Sequence, residues 1–212
     1  MPMKNDREYR NMTMEIRSAE TEDQADKMIV RGYASTFNNP YTLFEDDEWR
    51  FEEIVDKNAF ENTDMEDVIM QYDHEGRVFA RIRNNTLTVT PDDHGLLIEA
   101  DLGGTELGRQ LYEEIRGGYT DRMSFGFTVD SEDRLDTNAE DGKALTVRTI
   151  KSVRKLYDVS AVSLPANDAT EISVRNLTDG EIERIRAERR EAEKMELERR
   201  RAEVRARALG KE

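Results

Sequence analysis

Short apolar or alternating runs, each bounded by turn-forming residues, recur through the middle of this chain and restrict the folds available to it. Three of them are MIVRGYASTF at 28–37, TLTVT at 86–90 and MSFGFTV at 123–129. Alternation with a period of two places successive side chains on opposite faces of a sheet. Runs of this length between Gly, Asn, Asp and Ser residues are typical of strands. We therefore predict one β-rich domain over residues 28–177 of the 212-residue chain.

Further strands and one packed helix are predicted inside this domain. The other strand-like runs are DVIMQY (67–72), VFARIR (78–83), GLLIEAD (95–101), ALTVRTIK (144–151) and LYDVSAVSL (156–164). Thr105 is placed to cap a helix that ends at Gly117-Gly118. One face of that helix carries its apolar residues, Leu107, Leu111, Tyr112 and Ile115.

The connections between these elements are predicted from their turn residues. Asn-Asn at 84–85 and DDHG at 92–95 favour tight hairpins. A short turn of helix is expected over 56–62. The stretch 130–143 is polar and acidic, so we expect it to be a disordered loop.

Both ends of the chain differ in composition from the predicted domain. Residues 1–27 are polar and without a clear period, and we expect a mobile acidic segment there. From residue 178 to 212 the chain is almost wholly Glu, Arg, Ala and Lys, which predicts one long charged helix with Thr178 as its cap and Gly210 at its end. Because its apolar seam is thin, we expect that helix to add little to the stability of the domain.

Composition excludes several classes of function. The chain has no cysteine, so it can form neither disulfides nor thiolate metal sites, which fits a reducing compartment. A formal net charge of −15 argues against nucleic acid as a partner. No apolar stretch approaches the roughly 18 residues of a membrane helix, and MPMKNDREYR has no signal-like run. We expect a soluble cytoplasmic protein without cofactor, metal or membrane contact.

A mechanism that needs an imidazole base has only two candidates, because the chain has only two histidines. His74 lies between two predicted strands, whereas His94 lies in a solvated turn, so His74 is the better base. Ser124 begins a strand, and Gly126 beside it permits a close approach. Asp158 lies within an otherwise apolar strand and needs a partner there. A Ser, a His and an acid can form a nucleophilic triad, but any chain of this size contains all three residue types.

Residues 30–175 resemble the prohead (capsid maturation) proteases of tailed bacteriophages. The segments that carry the resemblance occur in the expected order: VRGYASTFNN, IVDKNAF, MQYDHEGRVFARI, GLLIEADL, GRQLYEEIRGGYTDRMSFGFTV and VRKLYDVSAVSLPAN. The resemblance implies that His74 is the base, Ser124 the nucleophile and Asp158 the third catalytic residue. Relatives often carry Glu at the third position. Asp73 is an alternative carboxylate, since it adjoins His74 in the sequence.

The resemblance also implies a fold, a reaction and partners. These proteases resemble herpesvirus assemblins, which implies a β-rich α+β fold with a small closed or partly closed β-barrel and packed helices. The implied activity is a serine endopeptidase that cleaves scaffold segments from the phage major capsid protein and processes itself. It would act in the host cytoplasm, inside the assembling procapsid, and we expect it to self-associate. Backbone N–H groups near Ala166 and Asn167 are expected to form the oxyanion hole.

A non-enzymatic alternative remains open on the sequence. In that reading the β-domain binds coat protein and the charged helix acts as a scaffold for capsid assembly. A pure scaffold has no need to retain His74, Ser124 and Asp158 together. The spatial relation of these three side chains therefore discriminates between the two readings.

Overall fold

The computed structural model describes residues 7–12, 17–18, 27–163 and 179–209. Its strands are β1 (Glu8–Met12), β2 (Arg17–Ser18), β3 (Ile29–Thr36), β4 (Tyr41–Glu45), β5 (Trp49–Val55), β6 (Ile69–Tyr72), β7 (Glu75–Arg81), β8 (Leu87–Pro91), β9 (Gly95–Asp101), β10 (Arg122–Asn138) and β11 (Ala144–Val162). Its helices are α1 (Glu106–Arg116), α2 (Asp179–Leu209) and a 3₁₀ turn at Ile82–Asn84.

The larger sheet is organised around the long strand β11. Its antiparallel partner is β10, and β10 pairs on its other side with β1. On the far side of β11, residues 144–150 pair in parallel with β5 and residues 158–161 pair in parallel with β6. Strands β4 and β7 then pair with β5 and β6. This sheet places β10, β11 and β6 side by side.

The smaller sheet is antiparallel, in the order β2-β3-β9-β8. Side chains of both sheets and of α1 share the main core, which includes Val30, Ala34, Leu96, Ile98, Leu111, Tyr112, Ile115, Phe125, Phe127 and Val159. The predicted start of α1 is confirmed, because the Thr105 hydroxyl accepts a hydrogen bond from the Gly108 N–H at 2.9 Å. Leu107, expected on the buried face, is 39% exposed.

The expected fold class is confirmed as β-rich α+β with a long C-terminal helix, but the expected barrel is wrong. Among the described residues the strands pair in two separate sheets, and no closed barrel forms from them. Strand β11 divides its length between β5 and β6, and the larger sheet keeps β1, β4 and β7 as open edges. Within the part of the chain that the structure describes, each of these three strands has one hydrogen-bonded neighbour, so no ring of strands closes there.

The polar stretch 130–143 is not the disordered loop that its composition predicted. Strand β10 continues through it to Asn138 and pairs with β11, which forms one unbroken strand where two were expected. Polar contacts between the two strands replace apolar packing, as when the Thr146 hydroxyl donates to Asp136 at 2.6 Å. This part of β10 is an edge of the larger sheet and exposes most of its side chains, so a hydrophobic pattern gives no sign of it.

The first turns of α2 pack on the larger sheet, which the sequence did not predict. Ile182 and Ile185 are buried in a second apolar cluster with Leu43, Trp49 and Phe51. Arg186 pairs with Asp46 and lies over the rings of Phe44 and Trp49. The expectation of a helix that adds little to the domain is therefore wrong for these turns. The predicted cap Thr178 and the predicted stop Gly210 lie outside the described residues.

Other local expectations were only partly met. Strand β1 occupies residues 8–12 of the segment that was expected to be mobile. The DDHG hairpin is confirmed between β8 and β9, whereas residues 84–85 connect strands of different sheets. Residues 57–62 form turns and no helix. No helix in the described part of the chain is long and apolar enough to cross a membrane.

Candidate active site

Three neighbouring strands bring the three predicted site residues together. Ser124 lies on β10 and Asp158 on β11, where the register pairs Asp158 with Gly126. His74 follows β6, whose Ile69 pairs with Asp158. Side chains of alternate residues share one face of a sheet, so Ser124 and Gly126 face the same side. The site is thus built from residues that are 84 positions apart in the chain at most.

His74 is held in a two-residue turn between β6 and β7. Asp73 and His74 both have positive φ angles, 48° and 61°, as type I′ hairpin turns require. The Asp73 N–H donates to the Ala161 carbonyl oxygen at 2.9 Å. The Asp73 carboxylate accepts from both the N–H and the hydroxyl of Ser163, at 3.1 and 3.0 Å. These bonds attach the turn to the end of β11 and set the position of the imidazole.

The imidazole of His74 bridges the hydroxyl and the carboxylate. Its Nε2 lies 2.5 Å from Ser124 Oγ, and its Nδ1 lies 2.5 Å from Asp158 Oδ2. A carboxylate at Nδ1 favours the tautomer with its hydrogen there, which leaves Nε2 as the acceptor for the serine hydrogen. Asp73, the alternative carboxylate, has its own partner in Ser163. Such an arrangement has the chemistry to supply a nucleophile, a base and an orienting acid.

Asp158 is fully buried and its oxygens have several donors. The Ser160 hydroxyl donates to Oδ2 at 2.9 Å, and the Arg7 guanidinium pairs with Oδ1. Gly126 is required beside it, because a Cβ at that position would overlap Asp158 Oδ1. The sequence predicted a close approach at Gly126. The group that approaches is the Asp158 side chain, from the neighbouring strand β11.

The environment of His74 disfavours its protonated form. Burial is the largest cause, and the Arg7 guanidinium adds to it, so that the pKa of His74 is lowered to about 4 although Asp73 acts in the opposite direction. Arg7 also pairs with Asp158, the carboxylate that would otherwise stabilise an imidazolium. His74 is therefore neutral at pH 7 and able to accept a proton.

Strand β1 crosses the site and contributes residues that the sequence analysis missed. The Tyr9 ring packs edge-on against the His74 ring with centroids 4.4 Å apart. The Ser124 hydroxyl donates to the Arg10 carbonyl oxygen at 2.8 Å, so its single hydrogen is shared between that oxygen and His74 Nε2. Nothing local in residues 7–10 indicates a role at the site. Ser160 was detectable in principle, since it lies two positions after Asp158 and so on the same strand face.

His94 lies away from this site, and one other expectation falls on residues that the structure does not describe. His94 is exposed in the turn between β8 and β9, and its ring packs against Tyr33 in the smaller sheet. Its N–H donates to Asp92 Oδ1 at 2.7 Å. Ala166 and Asn167, expected to provide the oxyanion hole, lie outside the described residues.

Comparison with protein families gives one match, whose description is Caudovirus prohead serine protease, over residues 12–184. The match spans most of the chain and includes His74, Ser124 and Asp158. Residues 7–11 precede it. Neither the curated proteins nor the solved structures give a match.

Proposed function

From the premise that this chain belongs to the caudovirus prohead serine protease family, we propose that it is the endopeptidase that removes scaffold segments from a phage major capsid protein and also cleaves itself. The observation that carries the proposal is the hydrogen-bonded series from Ser124 through His74 to Asp158. A hydroxyl becomes nucleophilic when a positioned base takes its proton.

Each of the three residues has a distinct role in the proposed mechanism. His74 Nε2 accepts the Ser124 proton while Oγ attacks the peptide carbonyl carbon. His74 then gives that proton to the leaving amine, and water hydrolyses the resulting ester by the same path. Asp158 maintains the tautomer and stabilises the imidazolium. Ser160 is a positioning residue, because its hydroxyl holds the same carboxylate oxygen that faces the imidazole.

We also propose where the enzyme acts and which proteins it contacts there. It works in the host cytoplasm within the assembling procapsid, on the capsid protein and its scaffold segment, and associates with further copies of itself. Residues 28–177 belong to the protease domain, and the charged segment 178–212, which contains α2, associates with scaffold. The alternative of a scaffold without enzymatic activity is disfavoured, because a pure scaffold has no need of the hydrogen-bonded series from Ser124 through His74 to Asp158.

The test is coexpression of the chain with its capsid protein, followed by measurement of capsid processing. Ser124→Ala should lower the rate by roughly 10⁴ to 10⁶. Ser131→Ala is the matched control, because Ser131 is an exposed serine on the same strand. Asp158→Asn should lower the rate by roughly 10⁴, since the amide favours the wrong tautomer. Processing by Ser124→Ala at the rate of the control would refute the proposal.

A further inference from the structure

Strand β1 lies where an extended substrate of this site would bind. It is the edge partner of β10, the strand that carries the nucleophile, with Asn11 opposite Ser124. Peptides commonly bind by adding one strand to an exposed sheet edge. Since Ser124 Oγ is 2.8 Å from the Arg10 oxygen, the carbonyl carbon of Arg10 is within about 4 Å of the nucleophile.

The side chain of Arg10 fills a buried acidic pocket on the opposite face of the sheet. Arg10 is only 2% exposed, and its Nε and Nη2 donate to the two carboxylate oxygens of Glu53 at 2.7 and 2.9 Å. Its guanidinium lies 5.6 Å from the centre of the Phe127 ring. Two parallel hydrogen bonds to one carboxylate require the planar guanidinium of arginine, and the single ammonium group of lysine cannot form them. We call this set of residues, Tyr41, Glu53, Phe127 and Arg148, the Glu53 pocket.

The Glu53 pocket does not depend on β1 for its construction. Its members belong to β4, β5, β10 and β11. Glu53 also accepts a hydrogen bond from Arg148 at 2.8 Å and one from the Tyr41 hydroxyl. These partners remain when Arg10 leaves, so the buried carboxylate is not left without a counter-charge. The pocket can therefore exchange one arginine for another.

We propose that β1 is an internal substrate segment and that Glu53 selects arginine at the residue whose carbonyl Ser124 attacks. The proposal rests on the proposed function and adds its substrate class: extended segments with arginine immediately before the cleaved bond. It also adds a regulation, because other chains reach Ser124 only after β1 has left the edge of β10.

The first reaction is cleavage of the chain's own Arg10–Asn11 bond. Ser124 Oγ bonds to the Arg10 carbonyl carbon, the bond to the Asn11 nitrogen breaks, and His74 passes the serine proton to that nitrogen. Water then hydrolyses the ester and releases residues 1–10. This reaction is slow, because Arg7 pairs with Asp158 and opposes the imidazolium while β1 is in place. Loss of residues 1–10 removes Arg7 and frees the site.

The test follows the intact mass of the purified full-length chain over time and uses two variants with the same change of charge. The wild type should lose residues 1–10 at a first-order rate that is independent of its concentration. Arg10→Gln should lose them at least 100-fold more slowly. Arg31→Gln is the matched control, since Arg31 is an exposed arginine on the smaller sheet, and it should behave as the wild type.

A peptide panel tests the pocket without any variant. Synthetic peptides that copy residues 6–15 carry Arg, Lys or Gln at the position of Arg10, and the enzyme is the processed wild type. The kcat/KM value for the Arg peptide should exceed that for Gln at least 100-fold and that for Lys about 10-fold. Equal values, or cleavage at another bond, would overturn the assignment of Glu53.

Failure of this inference is distinguishable from failure of the proposed function. If Ser124-dependent processing of capsid protein occurs while the N-terminus stays intact, the inference is wrong and the proposed function stands. If Arg10→Gln is cleaved at the wild-type rate, the inference is likewise wrong and the proposed function stands. If neither capsid protein nor chain is cut, the proposed function itself is wrong.

Discussion

The imidazole of His74 is positioned by a turn whose backbone conformation is costly for the residues it contains. Positive φ angles outside glycine cost about 1 to 3 kcal/mol each, and both Asp73 and His74 adopt them. The hydrogen bonds of Asp73 to Ala161 and Ser163 offset that cost. The turn thus adopts a costly backbone conformation, and this conformation places the His74 imidazole against two other strands, β10 and β11.

Substitution of the two histidines should have very different effects on capsid processing. His74→Ala should be as inactive as Ser124→Ala in capsid processing, because it removes the group that takes the serine proton. His94→Ala should keep activity within about 2-fold, since His94 is exposed in a turn of the smaller sheet. Equal losses in both variants would mean that the base is misassigned.

The charge of Arg7 should be measurable in the titration of His74. With Ser124→Ala as background, so that the chain stays uncut, NMR should give His74 a pKa of about 4. Arg7→Gln removes a cation that disfavours the imidazolium, so the His74 pKa should rise. The His74 signal of the Arg31→Gln control should titrate as in the background. An unchanged pKa in Arg7→Gln would show that β1 does not lie against the base in solution.

At the scale of elements, helix α2 combines two kinds of surface. Its first turns bury Ile182 and Ile185 against strands β4 and β5. Beyond them Met195 and Leu197 are exposed, and intrahelical pairs such as Glu196 with Arg200, 2.9 Å apart, stabilise the helix in water. The helix is thus anchored at one end and solvated at the other.

Apolar truncations in α2 should separate its two parts. Ile182→Ala and Ile185→Ala should each lower the free energy of unfolding by about 2 to 4 kcal/mol. Met195→Ala, at a residue 66% exposed, should change it by less than about 0.5 kcal/mol. Denaturant titration followed by the fluorescence of Trp49, the single tryptophan, measures both effects. Similar values for all three variants would show that the helix does not pack on the sheet.

At the scale of the whole molecule, a buried network of charges joins the N-terminal strand to the larger sheet. Arg148 donates to Glu8, Glu53 and Glu132, and Arg10 donates to Glu53. Burial opposes ionisation of Glu8, but Arg10 and Arg148 outweigh it and lower the pKa of Glu8 to about 2. Glu8 is therefore ionised at neutral pH, and the network connects β1 to the strands beneath α2.

Removal of the solvated end of α2 should leave the protease itself intact. Truncation after Arg190 retains Ile182 and Ile185, so melting temperature and peptide cleavage should stay close to those of the full chain. The amount of protease that copurifies with assembled procapsids should fall, because the removed residues belong to the helix assigned to scaffold. Unchanged incorporation would leave that part of the helix without the assigned role.

Local patterns in the sequence were sufficient to predict several elements and the residues with catalytic chemistry. Period-two alternation indicated β3 and β9, Thr105 indicated the start of α1, and the motifs around His74, Ser124 and Asp158 indicated a prohead protease. These signals are local because they depend on side-chain spacing and on single capping or turn residues. Residues 130–143 lack an apolar period, so no local signal in them indicates the strand that they form.

Which distant segments become neighbours depends on the packing of the whole fold. The parallel register of β6 on β11 places His74 against Asp158, and the pairing of β1 with β10 places Arg7 and Arg10 at the site. Among the described residues the strands pair in two sheets without a closed barrel, and β11 divides its pairing between β5 and β6. Strand pairing between remote segments depends on the summed packing of the whole core and on buried charge pairs, and no local pattern carries that sum.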